Sequence, residues 1–218
     1  MSKDLFLEGR YDSLTRKVAT DIMSVIRKTQ GGLGSDFIVL PDNDDDFGYE
    51  SNAGFSFKVY LLIDRVEYME IKGKKQDFLI NTFIDDEDQI TMEIMISEEF
   101  EPYCYDRMFY KINEDIRHEI EHYTQTIFDD RSKSLQNTAD YETTFEHHMD
   151  PSEIEALAHG YYRRSKVEKL PFDVIIRNDL NTEIDLGNLT KRESDIITQA
   201  VISFAKKNLP KAIYSDNI

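Results

Sequence analysis

The stretch Ile116-Arg117-His118-Glu119-Ile120-Glu121-His122-Tyr123 decides how the rest of this chain is read. Ile112, Ile116, Ile120, Tyr123 and Ile127 recur every three or four residues, the period of an α-helix with one apolar stripe. Around the same helix His118 and His122 fall nearly opposite that stripe, beside Lys111, Asp115 and Asp129. The isoleucines therefore face an interior and the histidines turn away from it, which suits the floor of a cleft and equally a wet surface. Two imidazoles four residues apart lie on one helical face, at a separation that fits a single Zn²⁺. In this H-E-x-x-H pattern Glu119, next to the first histidine, is placed to hold a water and take its proton. The plain alternative is a solvated helical face on which Glu114 pairs with His118, one turn on.

A chain of 218 residues, 40% of them apolar, can bury one ordinary core or a core with a smaller lobe. With 26 basic against 43 acidic residues its formal charge is −17. That field repels nucleic acid phosphates and anionic membranes, so neither is an expected partner. Cys104 is the lone cysteine, which excludes an internal disulfide and fits a reducing compartment. Nothing near it would depress its pKa, so it reads as inert. The start, Met1-Ser2-Lys3-Asp4-Leu5-Phe6-Leu7-Glu8, lacks a basic end followed by an apolar run. No stretch is long enough to span a bilayer, so a soluble, cytoplasmic protein is expected.

Upstream of the motif, residues 11–28 read as an amphipathic helix carrying Leu14, Val18, Ile22, Val25 and Ile26, stopped by Gly31-Gly32-Leu33-Gly34. Residues 37–40 suit a short strand. In the acidic loop 41–54, the alternate aspartates Asp42, Asp44 and Asp46 hint at calcium. The glycine comes one place late, however, and Ala53 stands where a closing glutamate is needed, so a solvated loop is expected. Three β-type segments follow at 55–66, 78–84 and 90–97, joined by turns at Gly73-Lys74-Lys75 and Asp85-Asp86-Glu87-Asp88. Their short connections imply an antiparallel meander whose last strand, with Ile90, Met92, Ile94 and Ile96 on one face, is half exposed.

Downstream, residues 129–149 are polar and turn-rich, a loop or flap. Asp150-Pro151 opens a helix to about residue 169, with an N-cap followed by proline at the first helical position. Thr190 and Glu193 form a capping box at the head of a helix bearing Ile196, Ile197, Val201 and Phe204.

A catalytic zinc takes three protein ligands, so a third donor is needed. Glu153 shares a helical face with Ala156, Leu157 and Gly160, small enough in part to let two helices approach, whereas Glu155 points with Ser152, His159 and Tyr162 to the polar side. Glu153 is the better candidate, although three residues after Asp150 it could simply cap its own helix. Glu121 reads as surface charge. His147 and His148 read as solvent-facing, with a role for one of them at a substrate oxyanion if their loop folds over the cleft. Tyr161 and Tyr162 could serve the same end, but Tyr161 fits the core.

H-E-x-x-H followed by a helix with Glu153-Ile154-Glu155-Ala156 resembles the gluzincin branch of the zincin metallopeptidases. The resemblance implies an α+β, zincin-like single domain over residues 1–218. In it, a helix-plus-sheet lobe (1–100) precedes a mainly helical part (101–218) holding the metal motif. It implies Zn²⁺ bound by His118, His122 and Glu153, with Glu119 as general base, and a peptide or protein substrate. It also assigns β-addition of extended substrate to an edge strand at 91–97. Many gluzincins carry an aspartate directly after E-x-x-A, where this chain has Leu157; the partner orienting a histidine ligand is then unassigned, with Asp115 a candidate. Leu7-Glu8-Gly9-Arg10-Tyr11-Asp12 and the run from Glu146-His147-His148 to Arg164 resemble proteins of large tailed bacteriophages, which implies a host-cytoplasmic or virion setting. The competing expectation is therefore a structural or interaction protein, such as a virion component with an assembly partner, on the same fold.

Overall fold

A computed structural model of the chain describes residues 11–29, 33–41, 48–52, 54–71, 73–85, 88–128 and 141–215. Gly31-Gly32, the aspartates at 42–46, Asp86-Glu87, residues 129–140 of the expected flap and residues 7–10 lie outside the described residues. The fold is α+β and divides into two compact units, Gly9–Glu119 and Ile120–Ile218, with the division falling inside one continuous helix.

In the N-terminal unit, α1 (Asp12–Lys28) buries Thr15, Val18, Ala19, Ile22, Met23 and Ile26. The periodicity of 11–28 holds, turned slightly so that Leu14 and Val25 sit at the margin of the buried face. The helix ends against the sheet strand that carries Arg65. Its Nε donates to the Thr29 carbonyl at 2.9 Å and its guanidinium to the Ile26 carbonyl at 3.2 Å, satisfying carbonyls left without intrahelical donors.

The strands are β1 (Gly34–Leu40), β2 (Tyr49–Glu50), β3 (Ser56–Phe57), β4 (Val59–Val66), β5 (Glu70–Ile71), β6 (Lys74–Lys75), β7 (Phe78–Ile84) and β8 (Ile90–Ser97). The segment expected as one strand over 55–66 is therefore two, separated at Lys58. The principal sheet has the order β1-β4-β8-β7. It is not the expected antiparallel meander, because β8 runs parallel to β4 and antiparallel to β7. The connection from β4 to β7, which includes the β5–β6 hairpin, is long enough to step over one strand position, and β8 fills the gap. Burial explains the choice. The inward residues Ile90, Met92, Ile94 and Ile96 are almost fully buried, whereas no residue of β7 is. Placing the most apolar face in the middle of the sheet removes the most hydrocarbon from water, about 1.5–3 kcal/mol per large aliphatic side chain. The expectation of an edge strand at 91–97 is corrected accordingly: β8 is paired on both sides, and the sheet edges are β1 and β7. The alternation itself holds, with Glu93 and Met95 exposed on the other face.

Helix α2 (Cys104–Phe128) follows. Its residues up to Glu119 belong to the N-terminal unit, where Cys104, Met108, Ile112 and Ile116 are buried and Arg117 lies over the Tyr11 ring at 5.4 Å. The C-terminal unit continues with α3 (Thr144–His148), α4 (Pro151–Glu168), α5 (Phe172–Leu186) and α6 (Lys191–Asn208). Asp150 caps α4 as expected, accepting from the Ser152 amide at 2.8 Å, and the Thr190–Glu193 capping box is formed in full. Helix α5 is an element beyond those expected from the sequence. Its signals were present: Phe172, Ile175, Ile176 and Leu180 at helical spacing, all fully buried, and Gly187 as the left-handed terminator at φ 73°. These side chains form one core with Ala158, Tyr161, Tyr162, Ile197, Val201 and Ala205 of α4 and α6. Ile196, also on α6, is exposed.

Candidate metal centre

The face of α2 opposite the isoleucine stripe is not a wet surface. From Met108 to Gln125 no residue is exposed, although the run contains Asn113, Glu114, Arg117, Glu119, Glu121 and Gln125, all buried. A helix buried all round is normally apolar all round. One that buries this many polar groups needs partners for them, because an unsatisfied buried polar group costs about 1–3 kcal/mol. Part of that partnership comes from α4.

Glu153 lies in the first turn of α4 and is 5% exposed. Asp150 is the N-cap of that helix, and Glu153 reaches beyond its own turn. Its Oε1 stands 3.0 Å from His122 Nε2. His118, one turn before His122 on the same unbroken helix, completes the group: one ligand atom from each of His118, His122 and Glu153 lies within 4.8 Å of the others. Two partly buried histidines and a buried glutamate thus form a set that can hold a metal ion, and it is the set expected from the motif. Glu119, next to His118, is buried at 6% exposure.

The residue that orients His122 is Gln125, which the sequence did not single out. His122 Nδ1 lies 2.9 Å from Gln125 Oε1. An amide oxygen can only accept, so Nδ1 carries the proton and donates, leaving Nε2 directed at Glu153. The Gln125 amide nitrogen in turn donates to the Ser152 carbonyl in the first turn of α4 at 3.0 Å. One side chain thereby fixes the ring of a candidate ligand and ties the two helices together. The signal was available: residue 125 stands three after His122, one helical turn along the same face. Asp115, the other candidate for this task, forms an ion pair with Lys111 at 3.0 Å.

Three further expectations are revised. Glu121 is not surface charge: it is buried, with Glu155 and His159 nearby. His159 is not on a polar outer face either, being 8% exposed. His147 does not simply face solvent: it is half-buried on α3, its Nε2 3.5 Å from Glu153 Oε1 and its ring edge-on to Tyr141. His148 Nδ1 contacts the Thr144 carbonyl at 2.7 Å. Tyr161 is core, its hydroxyl donating to Asp179 at 2.9 Å, and Tyr162 is buried beneath Lys166. Cys104 is buried, and burial raises its thiol pKa, which makes it a poor nucleophile. At the head of α4, burial alone would raise the Asp150 pKa. Hydrogen bonds from Ser152 and Tyr141 outweigh it and hold the carboxyl below its ordinary value, ionised as a cap.

No family model, curated protein or solved structure matches this chain. No helix among the described residues is long and apolar enough to cross a membrane.

Proposed function

We propose that the protein is a zinc-dependent peptidase with a zincin-like catalytic arrangement, in which His118, His122 and Glu153 hold Zn²⁺ and Glu119 is the general base. The observation that supports it most is the approach of Glu153 Oε1 to His122 Nε2 at 3.0 Å, because these residues come from separate helices and only folding brings them together. Two imidazoles and one carboxylate are a donor set that suits zinc with a position left for water. Held by these residues, zinc would supply Lewis acidity toward the scissile carbonyl and would make a water easier to deprotonate.

The remaining work falls to the chain's own groups. Glu119 accepts a proton from the attacking water as the new C–O bond forms. It returns that proton to the amide nitrogen as the C–N bond breaks, so the products are a carboxylate and a free amine. Gln125 holds His122 in the tautomer whose Nε2 lone pair is available. The test is cleavage of a mixed peptide substrate by the zinc-loaded full chain, with Glu119→Gln as comparison. Turnover is expected to fall by about 10²–10⁴-fold with metal content unchanged. Loss of metal in that variant, or no cleavage by the loaded wild type, refutes the assignment.

One observation favours a second reading, a non-catalytic structural or interaction protein, for example a virion component. His147 Nε2 is 3.5 Å from Glu153 Oε1, so a third imidazole stands beside the ligand set and could fill the position that catalysis needs open. Under that reading a chelator lowers the melting temperature of the protein, and no hydrolysis is found at any metal loading.

A further inference from the structure

Glu121, Glu155 and His159 form a second convergence, with one ligand atom from each within 4.8 Å of the others. All three belong to the C-terminal unit, Glu121 on α2 and the other two one turn apart on α4. Each is held by a neighbour. Thr124 Oγ1 donates to Glu121 Oε1 at 3.1 Å, while Glu121 Oε2 faces His159 Nε2 at 3.8 Å. The Gln125 amide nitrogen reaches Glu155 Oε2 at 3.5 Å, and the His159 ring stands edge-on to Phe204. A separation of 3.8 Å is too long for a hydrogen bond. It is closer to the ~3.3 Å that separates two donors on one tetrahedral ion with bonds of about 2.0–2.1 Å.

Burial acts in the same direction. Glu121 and His159 are each 8% exposed, and carboxylates withdrawn from water are stabilised by a cation held between them. We infer that Glu121, Glu155 and His159 bind a second divalent transition-metal ion, separate from the one held by His118, His122 and Glu153. Two carboxylates and one imidazole are a harder donor set than two imidazoles and one carboxylate. Relative to the first site, the second therefore favours Mn²⁺ over Zn²⁺, although both fit. Gln125 contributes to both centres, its oxygen orienting His122 and its nitrogen facing Glu155.

The inference does not depend on catalysis at the first site, and its test is a metal count. The full chain is stripped with a chelator, loaded with Zn²⁺ or Mn²⁺, freed of excess metal and analysed for bound ion, with folding checked by circular dichroism. Wild type is expected to retain two equivalents. His159→Ala and the near-isosteric Glu155→Gln should each retain one, and His122→Ala should retain one held by the second group. Glu155→Gln keeps the test decisive if the histidine variant does not fold. One equivalent in wild type that disappears in His122→Ala, or two equivalents surviving in Glu155→Gln, overturns the second site.

Discussion

Gln125 has the largest leverage for its chemical modesty. It carries no charge, yet its amide oxygen fixes the tautomer of His122 and its amide nitrogen fastens α2 to the first turn of α4. Removing such an orienting partner typically weakens metal binding by about 10–100-fold. Gln125→Ala is expected to show that loss in a competition titration against a chromophoric chelator, and Gln125→Glu, which still accepts from Nδ1, should recover most of it. Unaltered affinity in the alanine variant would remove Gln125 from the centre. Glu153→Ala should be more severe, because it deletes a donor and leaves His122 Nε2 without the carboxylate it faces at 3.0 Å. Metal analysis of that variant is expected to find the first ion gone while its circular dichroism stays native.

Among the elements, α5 is anchored by its first turn. Asp173 is fully buried and accepts from the Ser215 amide at 2.7 Å, the Ser215 hydroxyl at 2.6 Å and the Arg177 guanidinium at 2.6 Å. Phe172, beside it, donates its amide to the Ile213 carbonyl at 2.7 Å and meets the Tyr214 ring edge-on, so residues 213–215 are docked along the start of the helix. Burial would raise the Asp173 pKa, but the Ser215 bonds and Arg177 outweigh it and hold it below its ordinary 3.8. The sign follows from linkage: a carboxyl with a depressed folded pKa contributes stability above its unfolded value, and that contribution is lost as pH falls through the folded one. Urea titrations should therefore find Asp173→Asn less stable at neutral pH by about 1–3 kcal/mol, with the deficit shrinking as wild type is acidified below the ordinary aspartate pKa. A pH-independent deficit would contradict this account. In the core of the same helix group, Ile176→Ala should cost about 2–5 kcal/mol, since Ile176 is fully buried and helices rarely close over the cavity left behind.

For the whole molecule, metal binding and folding are linked. An ion that binds only the folded chain stabilises it by about 2.7 kcal/mol at one hundred times its Kd. For a domain of 150–250 residues each kcal/mol moves the melting temperature by about 2–4 °C. For this chain of 218 residues, zinc at that level should therefore raise the melting transition by roughly 5–10 °C, and a chelator should reverse it. Calorimetry with and without the ion checks this, and an unchanged transition would deny the convergence any role in holding a metal. The charge of −17 acts in the same direction, because a bound cation offsets part of the self-repulsion of an acidic chain.

Local signals carried much of this reading. The period of Ile112, Ile116 and Ile120, the Asp150-Pro151 start, the Thr190–Glu193 box and the alternation of β8 each depend on residues within a few positions of one another, and each is present in the fold. The His118–His122 pair was legible for the same reason, since helical geometry alone sets their spacing. Nonlocal choices were not written in any window of the chain. Whether β8 lies at an edge or between β4 and β7 depends on which strand's apolar face gains most from burial on both sides. Whether Glu121 and His159 meet water or one another depends on the approach of α4 to α2, which a single-helix wheel does not contain. Periodicity determines which face of an element is apolar; only packing between elements determines what its polar face meets.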